Sequence, residues 1–233
     1  MTQDEAKRAV AKRAVAFVEQ DMRVGLGTGT TATMFIHELA EKVKAGLRIR
    51  CVASSDASHD LGCSLGMDVT TLDKLPELDV YIDGADEVGP GLALIKGGGG
   101  ALLREKIVAS AAKRFLVVVD STKVVKHLGR FPLPVEVVKM ALRVVEPKLQ
   151  ALGLCPSQRN AKSGAGPYLT DEGNYILDCA CGEILDPEKT AAEIRAIVGV
   201  VEHGLFLGMA SLALVAGENG VVEKKAGAAA EAL

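Results

Sequence analysis

The sequence predicts an α/β fold built on a mostly parallel sheet, with a smaller α+β unit set into its second half. Three observations carry this. Short apolar segments alternate with helix-like stretches through the first half of the chain, which is the pattern of βαβ units. Residues 115–119 form an unbroken apolar run, as expected of a strand buried on both faces. The rhythm then breaks at Phe131-Pro132-Leu133-Pro134, where two prolines are expected to disrupt regular structure.

The elements follow in order. Thr2 and Glu5 have the spacing of a capping box, and the helix they open is expected to run to about residue 20. Residues 22–26 are an apolar segment entering Gly27-Thr28-Gly29-Thr30-Thr31, and 32–44 are helix-like. Residues 49–53 read as a strand followed by Ser54-Ser55-Asp56, a turn and helix cap. The segment 80–82 ends in Asp83-Gly84-Ala85-Asp86-Glu87, and 92–95 ends in Lys96 and four glycines, Gly97 to Gly100. Residues 101–112 then read as a helix. Beyond the prolines the expected order is a strand at 135–138, a helix at 141–152, strands near Tyr168 and at 175–178, and a helix from Pro187. Thr170-Asp171-Glu172-Gly173-Asn174 suits a hairpin turn. Residues 204–222 return to short apolar runs that rejoin the first sheet, and the Ala-rich tail 227–233 is expected to fray. The chain thus divides into an α/β domain, 1–130 plus 205–233, and a small α+β domain, 131–204.

Composition excludes several functions. A formal net charge of -3 provides no basic field for nucleic acid. With 3% aromatics and no Trp there is no base-stacking platform. Charges recur through the first 20 residues, unlike a secretory signal. No apolar run approaches the roughly 18 residues a membrane helix needs. Cys51, Cys63, Cys155, Cys179 and Cys181 are odd in number and irregularly spaced, unlike a disulfide framework. These features imply the cytoplasm, where thiols stay reduced. Cys179-Ala180-Cys181 lacks the second pair that a zinc site needs. His37, His59, His127 and His203 are scattered and receive no role.

In an open parallel sheet, ligands bind beyond the carboxyl ends of the strands. The loops at 27–31, 54–58, 83–87 and 96–100 all fall at such ends, so one pocket can collect them. Gly25-Leu26-Gly27-Thr28-Gly29-Thr30-Thr31 precedes a helix, offering bare backbone and helix N–H groups to a phosphate; a tight turn with Thr caps is the plainer alternative. Thr30 stands where a dinucleotide fingerprint needs glycine, and no Gly-Lys-Ser/Thr follows. Asp83 and Asp86 suit acid–base work, hydroxyl binding or metal binding, or serve only as turn caps. Four glycines after Lys96 imply a ligand that needs bare backbone beside a cation, or else a hinge. At helical spacing Ala101, Glu105, Val108 and Ala112 share one stripe. Glu105 is then a carboxylate on an apolar face, where desolvation would raise its pKa. Alternatively it makes an i, i+4 ion pair or is a partly exposed helix residue, flanked by Arg104 and Lys106. Lys123 follows the 115–119 strand as another strand-end cation, or as a solvated surface lysine.

Taken together, residues 25–31, Ser54-Ser55-Asp56, Asp83-Gly84-Ala85-Asp86-Glu87, Ile95-Lys96-Gly97-Gly98-Gly99, Arg104-Glu105-Lys106 and Phe131-Pro132-Leu133-Pro134-Val135-Glu136 strongly resemble the type A ribose-5-phosphate isomerase family. Ile184-Leu185-Asp186-Pro187 and Gly204-Leu205-Phe206 extend the likeness along nearly the whole chain. Two departures are mild: Thr30 where Ser is common, and Gly100 where Ala is frequent. The resemblance implies a Rossmann-like domain with an inserted ferredoxin-like one. It implies aldose–ketose isomerisation of ribose 5-phosphate and ribulose 5-phosphate, in the non-oxidative pentose phosphate pathway. Glu105 would match the base, acting with Asp83 and Lys96. Thr28, Gly29, Thr30, Thr31, Asp83, Gly84, Ala85, Asp86, Lys96, Gly97, Gly98, Gly99 and Lys123 would match substrate-binding positions. No metal and no cofactor are expected, and a homodimer or homotetramer is. The rival readings are an amino-sugar-phosphate deaminase, a sugar-phosphate lactonase, or a sugar-phosphate sensor without turnover.

Overall fold

Alternation of apolar side chains builds a seven-stranded central sheet in a computed structural model of the chain. The structure describes residues 2–164, 166–218 and 220–226, so the 227–233 tail lies outside it. The first half contains α1 (Gln3–Val15), β1 (Arg23–Leu26), α2 (Thr30–Lys44), β2 (Arg50–Ala53), α3 (Asp56–Ser64), β3 (Val69–Thr70) and β4 (Val80–Asp83). Next come β5 (Glu87–Val88), β6 (Leu94–Ile95), α4 (Leu102–Ser110), β7 (Phe115–Asp120), β8 (Leu133–Val137), α5 (Leu142–Ala151) and β9 (Cys155–Gln158). The rest are β10 (Tyr175–Ala180), α6 (Pro187–Arg195), β11 (Val200–His203), β12 (Leu205–Phe206), β13 (Leu212–Gly217) and β14 (Gly220–Lys225).

The central sheet runs β14-β13-β7-β4-β1-β2-β3. Every neighbouring pair is parallel except β13 with β14. On one face Val24, Leu26, Val80, Ile82, Leu116 and Val118 pack against Val10 and Ala14 of α1 and Phe35 and Leu39 of α2. On the other, Tyr81, Phe115, Val117 and Val119 meet Val108 and Ala109 of α4. Each buried Val, Leu, Ile or Phe among them contributes roughly 1.5–3 kcal/mol. A second sheet, β11-β8-β10-β9, is antiparallel and covered by α5 and α6 through Val145, Leu149 and Ile194. Strands β12, β6 and β5 form a third, short sheet.

Several expectations needed correction. Helix α1 stops at Val15, and Phe17 and Val18 bond back only three residues, to Ala14 and Val15. The chain tightens there so that Phe17 and Val18 pack on the sheet. Pro134 lies inside β8 rather than interrupting it. Strand β11 pairs with β8 only as far as Val135, so the missing donor of Pro134 falls beyond the last rung. Strand β9, unpredicted, is an edge strand carrying Pro156, which an edge tolerates. Tyr168 is not in a strand.

The strand order places the site. From β1 the chain proceeds outward through β2 and β3, then returns to β4 on the other side of β1. That reversal opens a crevice at the carboxyl ends of β1 and β4. Leu26 pairs with Ile82 as the last rung, so Gly27 and Asp83 emerge side by side.

Candidate active site

Of the predicted residues, Thr28, Gly29, Thr30, Thr31, Gly84, Ala85, Asp86, Lys96, Gly97, Gly98, Gly99, Glu105 and Lys123 line one cavity of about 150 Å³. Asp83 does not line it. Its carboxylate is fully buried beneath the floor and accepts four hydrogen bonds. Oδ1 takes Thr28 N–H at 2.9 Å and Gly84 N–H at 2.7 Å. Oδ2 takes the Tyr81 hydroxyl and Lys96 Nζ, the latter at 2.8 Å. A Cβ on residue 27 would lie 2.2 Å from Asp83 Oδ1, so only glycine lets β1 and β4 release their loops this close together. Ser54 and Ser58, from the predicted 54–58 loop, form a buried layer behind the cavity. Ser54 Oγ and Thr28 Oγ1 are 2.8 Å apart, and Ser58 Oγ donates to Gly27 O at 2.7 Å.

Lys96 is 2% exposed, and its Nζ also donates to Gly84 O at 2.6 Å. Burial alone would depress its pKa, but Asp83 and Glu105 outweigh that and hold it above its ordinary value. Glu105 sits in the first turn of α4, 4% exposed, with Oε2 lying 3.6 Å from Lys96 Nζ. Oε2 has no hydrogen-bond partner among the described residues. Desolvation pushes the Glu105 pKa up from 4.5 to about 8; Lys96 pulls it part-way back, while Asp83 and Asp86 reinforce the rise.

Burial decides the ambiguity about Glu105, and the flanking cations are engaged elsewhere. Arg104 Nη1 donates to Asp56 at 2.6 Å and Arg104 Nε to Glu172 at 2.6 Å. Lys106 Nζ donates to Glu202 at 2.8 Å and to His203 O at 2.6 Å. Together they fix the rotation of α4 with Glu105 aimed inward beside Leu102 and Val108.

At the other end of the cavity, Gly29 has φ of 100° and opens α2 without any side-chain cap. The first N–H groups of α2 therefore face the crevice free for an anion. Lys123 reaches the same end from the short turn Ser121–Lys123, which Asp120 caps. Sequence reasoning missed Gln3, Lys7 and Asp120, which also line the cavity. Gln3 Nε2 donates to Asp120 Oδ2 at 3.4 Å. Lys7 follows Ala6 on the buried edge of α1, and no local pattern reports that this edge overlies the strand ends. Among the described residues, no group of three or more His, Cys, Asp or Glu is arranged to hold a metal ion.

Comparison with known proteins gives the family. A family model described as Ribose 5-phosphate isomerase A (phosphoriboisomerase A) matches residues 50–220. The chain belongs to the ribose 5-phosphate isomerase A family. It is thus an aldose–ketose isomerase of ribose 5-phosphate and ribulose 5-phosphate. "Ribose-5-phosphate isomerase A" of Roseiflexus sp. (strain RS-1) is 52% identical over 220 residues, covering 93% of this chain and 94% of that one. The protein of that name from Sinorhizobium fredii is 51% identical, covering 95% and 97%. A solved D-ribose-5-phosphate isomerase in complex with phospho-erythronic acid superposes with a TM-score of 0.94 at 38% identity, covering 97% of this chain and 100% of that one. The Methanocaldococcus jannaschii ribose 5-phosphate isomerase A structure gives 0.92 at 40% identity, covering 96% and 100%. The Rossmann-like sheet with its smaller antiparallel unit is the architecture these solved isomerases share.

The perturbed carboxyl makes the stability of the isomerase depend on pH. Between 4.5 and about 8 the folded protein keeps a proton on Glu105 that the unfolded chain has lost. The native state then binds more protons, so this contribution is complete below the unfolded value and disappears as pH rises through the folded one. Relative to Glu105→Gln, which does not titrate, the urea midpoint of wild type should therefore fall as pH rises from about 5 to 8. Parallel profiles for the two proteins would contradict the assignment.

Proposed function

We propose that the two sugar phosphates interconvert in this cavity through a cis-enediolate, with Glu105 moving the proton between C2 and C1. The observation that carries this is the buried Glu105 carboxyl, one oxygen unpartnered, across from the Lys96 ammonium. A carboxylate with raised proton affinity is a better base toward a carbon acid than a solvated one. Glu105 takes the C2 proton of the open-chain aldose, and the electron pair left behind forms the C1–C2 double bond as charge moves to O1. The proton of the C2 hydroxyl then passes to O1, shifting the negative charge to O2, and Glu105 returns its proton to C1 as the C2–O2 bond becomes the ketone. Lys96 and amides of the glycine run stabilise the enediolate oxygen, where a preorganised cation contributes most.

Ring opening needs a proton moved between the ring oxygen and the anomeric hydroxyl. We assign it to the Asp83–Lys96 pair, with Lys96 at the cavity wall and Asp83 2.8 Å behind it. Asp86, oriented by Gly98 N–H at 2.7 Å, holds sugar hydroxyls. Thr28, Gly29, Thr30, Thr31 and Lys123 anchor the phosphate, so binding energy is gained far from the reacting carbons. Lys96 supplies the positive charge that a metal would otherwise provide, so the scheme calls for no metal or cofactor.

The same reading divides the chain into a catalytic domain, 1–130 plus 205–233, and a small domain, 131–204, that takes part in oligomerisation. Met140, Val144 and Val198 support the second role: they are 90%, 53% and 83% exposed on the small domain. Such apolar exposure suits a second copy of this chain, giving a homodimer or homotetramer. The buried thiols of Cys51 and Cys179 suit the cytoplasm.

Three measurements test the proposal. Ribose 5-phosphate should yield ketose at an unchanged rate after chelator treatment; a folded protein that forms none ends the reading. Glu105→Gln keeps the shape and removes the base, so kcat should fall about 10²–10⁴-fold; near-normal turnover would remove Glu105 from the role. Lys123→Ala should chiefly raise KM through lost uniform binding, and a collapse of kcat at constant KM would give Lys123 a different part.

A further inference from the structure

Four consecutive glycines have no shape of their own, yet this run must present its amides to a reacting oxygen. What holds it comes from the small domain. Arg159 follows β9 with its side chain 14% exposed. Its guanidinium grips Asp178 of β10 with both edges, Nε at 2.8 Å from Oδ2 and Nη2 on Oδ1. The remaining nitrogen, Nη1, donates to Gly97 O at 2.9 Å and to Gly98 O at 3.3 Å. Tyr168, whose ring lies 5.8 Å from the Arg159 guanidinium carbon, donates its hydroxyl to Gly99 O at 3.3 Å. Three successive carbonyls are thus turned toward the small domain.

The peptide bonds here are trans, so each N–H points away from the carbonyl preceding it. Opposite Gly97 O, the Gly98 N–H reaches Asp86 Oδ2. Opposite Gly98 O, the Gly99 N–H has no protein acceptor among the described residues, and Gly99 lines the cavity. The fourth glycine belongs to the same device. Gly100 has φ of 92°, and a Cβ there would lie 2.2 Å from Tyr168 Oη. Bare backbone at residue 100 is what admits Tyr168 to the run.

We propose that Arg159 is a positioning residue of the isomerase: from the small domain it holds the glycine run by its carbonyls, so that Gly99 N–H is presented to the enediolate oxygen while Asp86 is held for the sugar. Asp178 orients Arg159, and Tyr168 completes the grip. The inference rests on the enediolate reading of the cavity. A lysine cannot replace the fork, because one ammonium cannot engage both carboxylate oxygens and both carbonyls.

The test compares Arg159→Met and Arg159→Lys with wild type. It measures kcat, KM, melting temperature, and inhibition by phospho-erythronic acid and by inorganic phosphate. The carboxylate of phospho-erythronic acid places two oxygens on one planar carbon, as the enediolate places its own on neighbouring planar carbons. For Arg159→Met we expect kcat to fall about 10- to 100-fold, and inhibition by phospho-erythronic acid to weaken by a similar factor. Inhibition by inorganic phosphate should stay within about twofold, since the α2 end is untouched. Arg159→Lys should lose about 3- to 10-fold in kcat. If the Met variant does not melt cooperatively, the Lys variant decides. A folded Arg159→Lys with kcat within about twofold of wild type overturns the proposal. Equal weakening of both inhibitors also overturns it, because that marks general loosening rather than a misplaced amide. Absence of ketose formation by wild type would instead strike the enediolate reading itself.

Discussion

A buried ammonium between two buried carboxyl groups is the constraint on which the site depends. Removing charges from water is costly unless they are paired and hydrogen-bonded. Asp83 meets that requirement completely, with two backbone N–H groups, a tyrosine hydroxyl and Lys96. Lys96 spends its donors on Asp83 and Gly84 O. Glu105 is left with a 3.6 Å approach to an ammonium already neutralised and with an oxygen that nothing bonds. Its preference for the protonated form follows from that shortage. Burial thereby makes a carboxyl of high proton affinity from an ordinary glutamate, and Asp83 and Asp86 add to the effect.

The fold exists around this arrangement to keep its members from relaxing. Tyr81 is fully buried against Phe115, and its hydroxyl fixes Asp83 from below. Glycine at 27 permits the close passage of the two strand ends, and a Cβ on residue 25 would strike the Tyr81 ring at 2.6 Å. Arg104 and Lys106 flank Glu105 in the helix, each turned about 100° away from it. Both are drawn away to acidic groups distant in sequence, which pins α4 at two points and leaves the residue between them bare.

Those pins also make the two sheets one working unit. Arg104 joins α4 to Asp56 at the start of α3 and to Glu172 in the turn at 170–174 that precedes β10. Arg159 joins the edge of the antiparallel sheet to the glycine run. The cavity walls come from strand ends of the parallel sheet, from α4 and from the glycine run after β6, and the run is held from the β11-β8-β10-β9 sheet. A glycine-rich loop gains the freedom to approach a ligand but loses the means to hold a shape, and the second domain supplies that means.

Much of this was legible in the sequence. Alternating apolar segments with polar, glycine-rich endings pointed to strand ends converging on one pocket, and helical spacing placed Glu105 on an apolar stripe. Local periodicity is set by backbone geometry, so it survives in the linear chain. Other features were not legible. Pro134 within a strand, Pro156 on an edge, and the end of α1 at Val15 depend on which neighbour lies alongside. The burial of Asp83 behind Lys96, and the reach of Lys7 to the cavity, depend on how far apart in sequence their partners are. The sequence by itself determined which chemical groups are present and the faces of the elements that carry them. Only the tertiary structure decided which charges neutralise one another and which carboxyl is left over, because electrostatic pairing acts through space across segments that the chain's order does not relate.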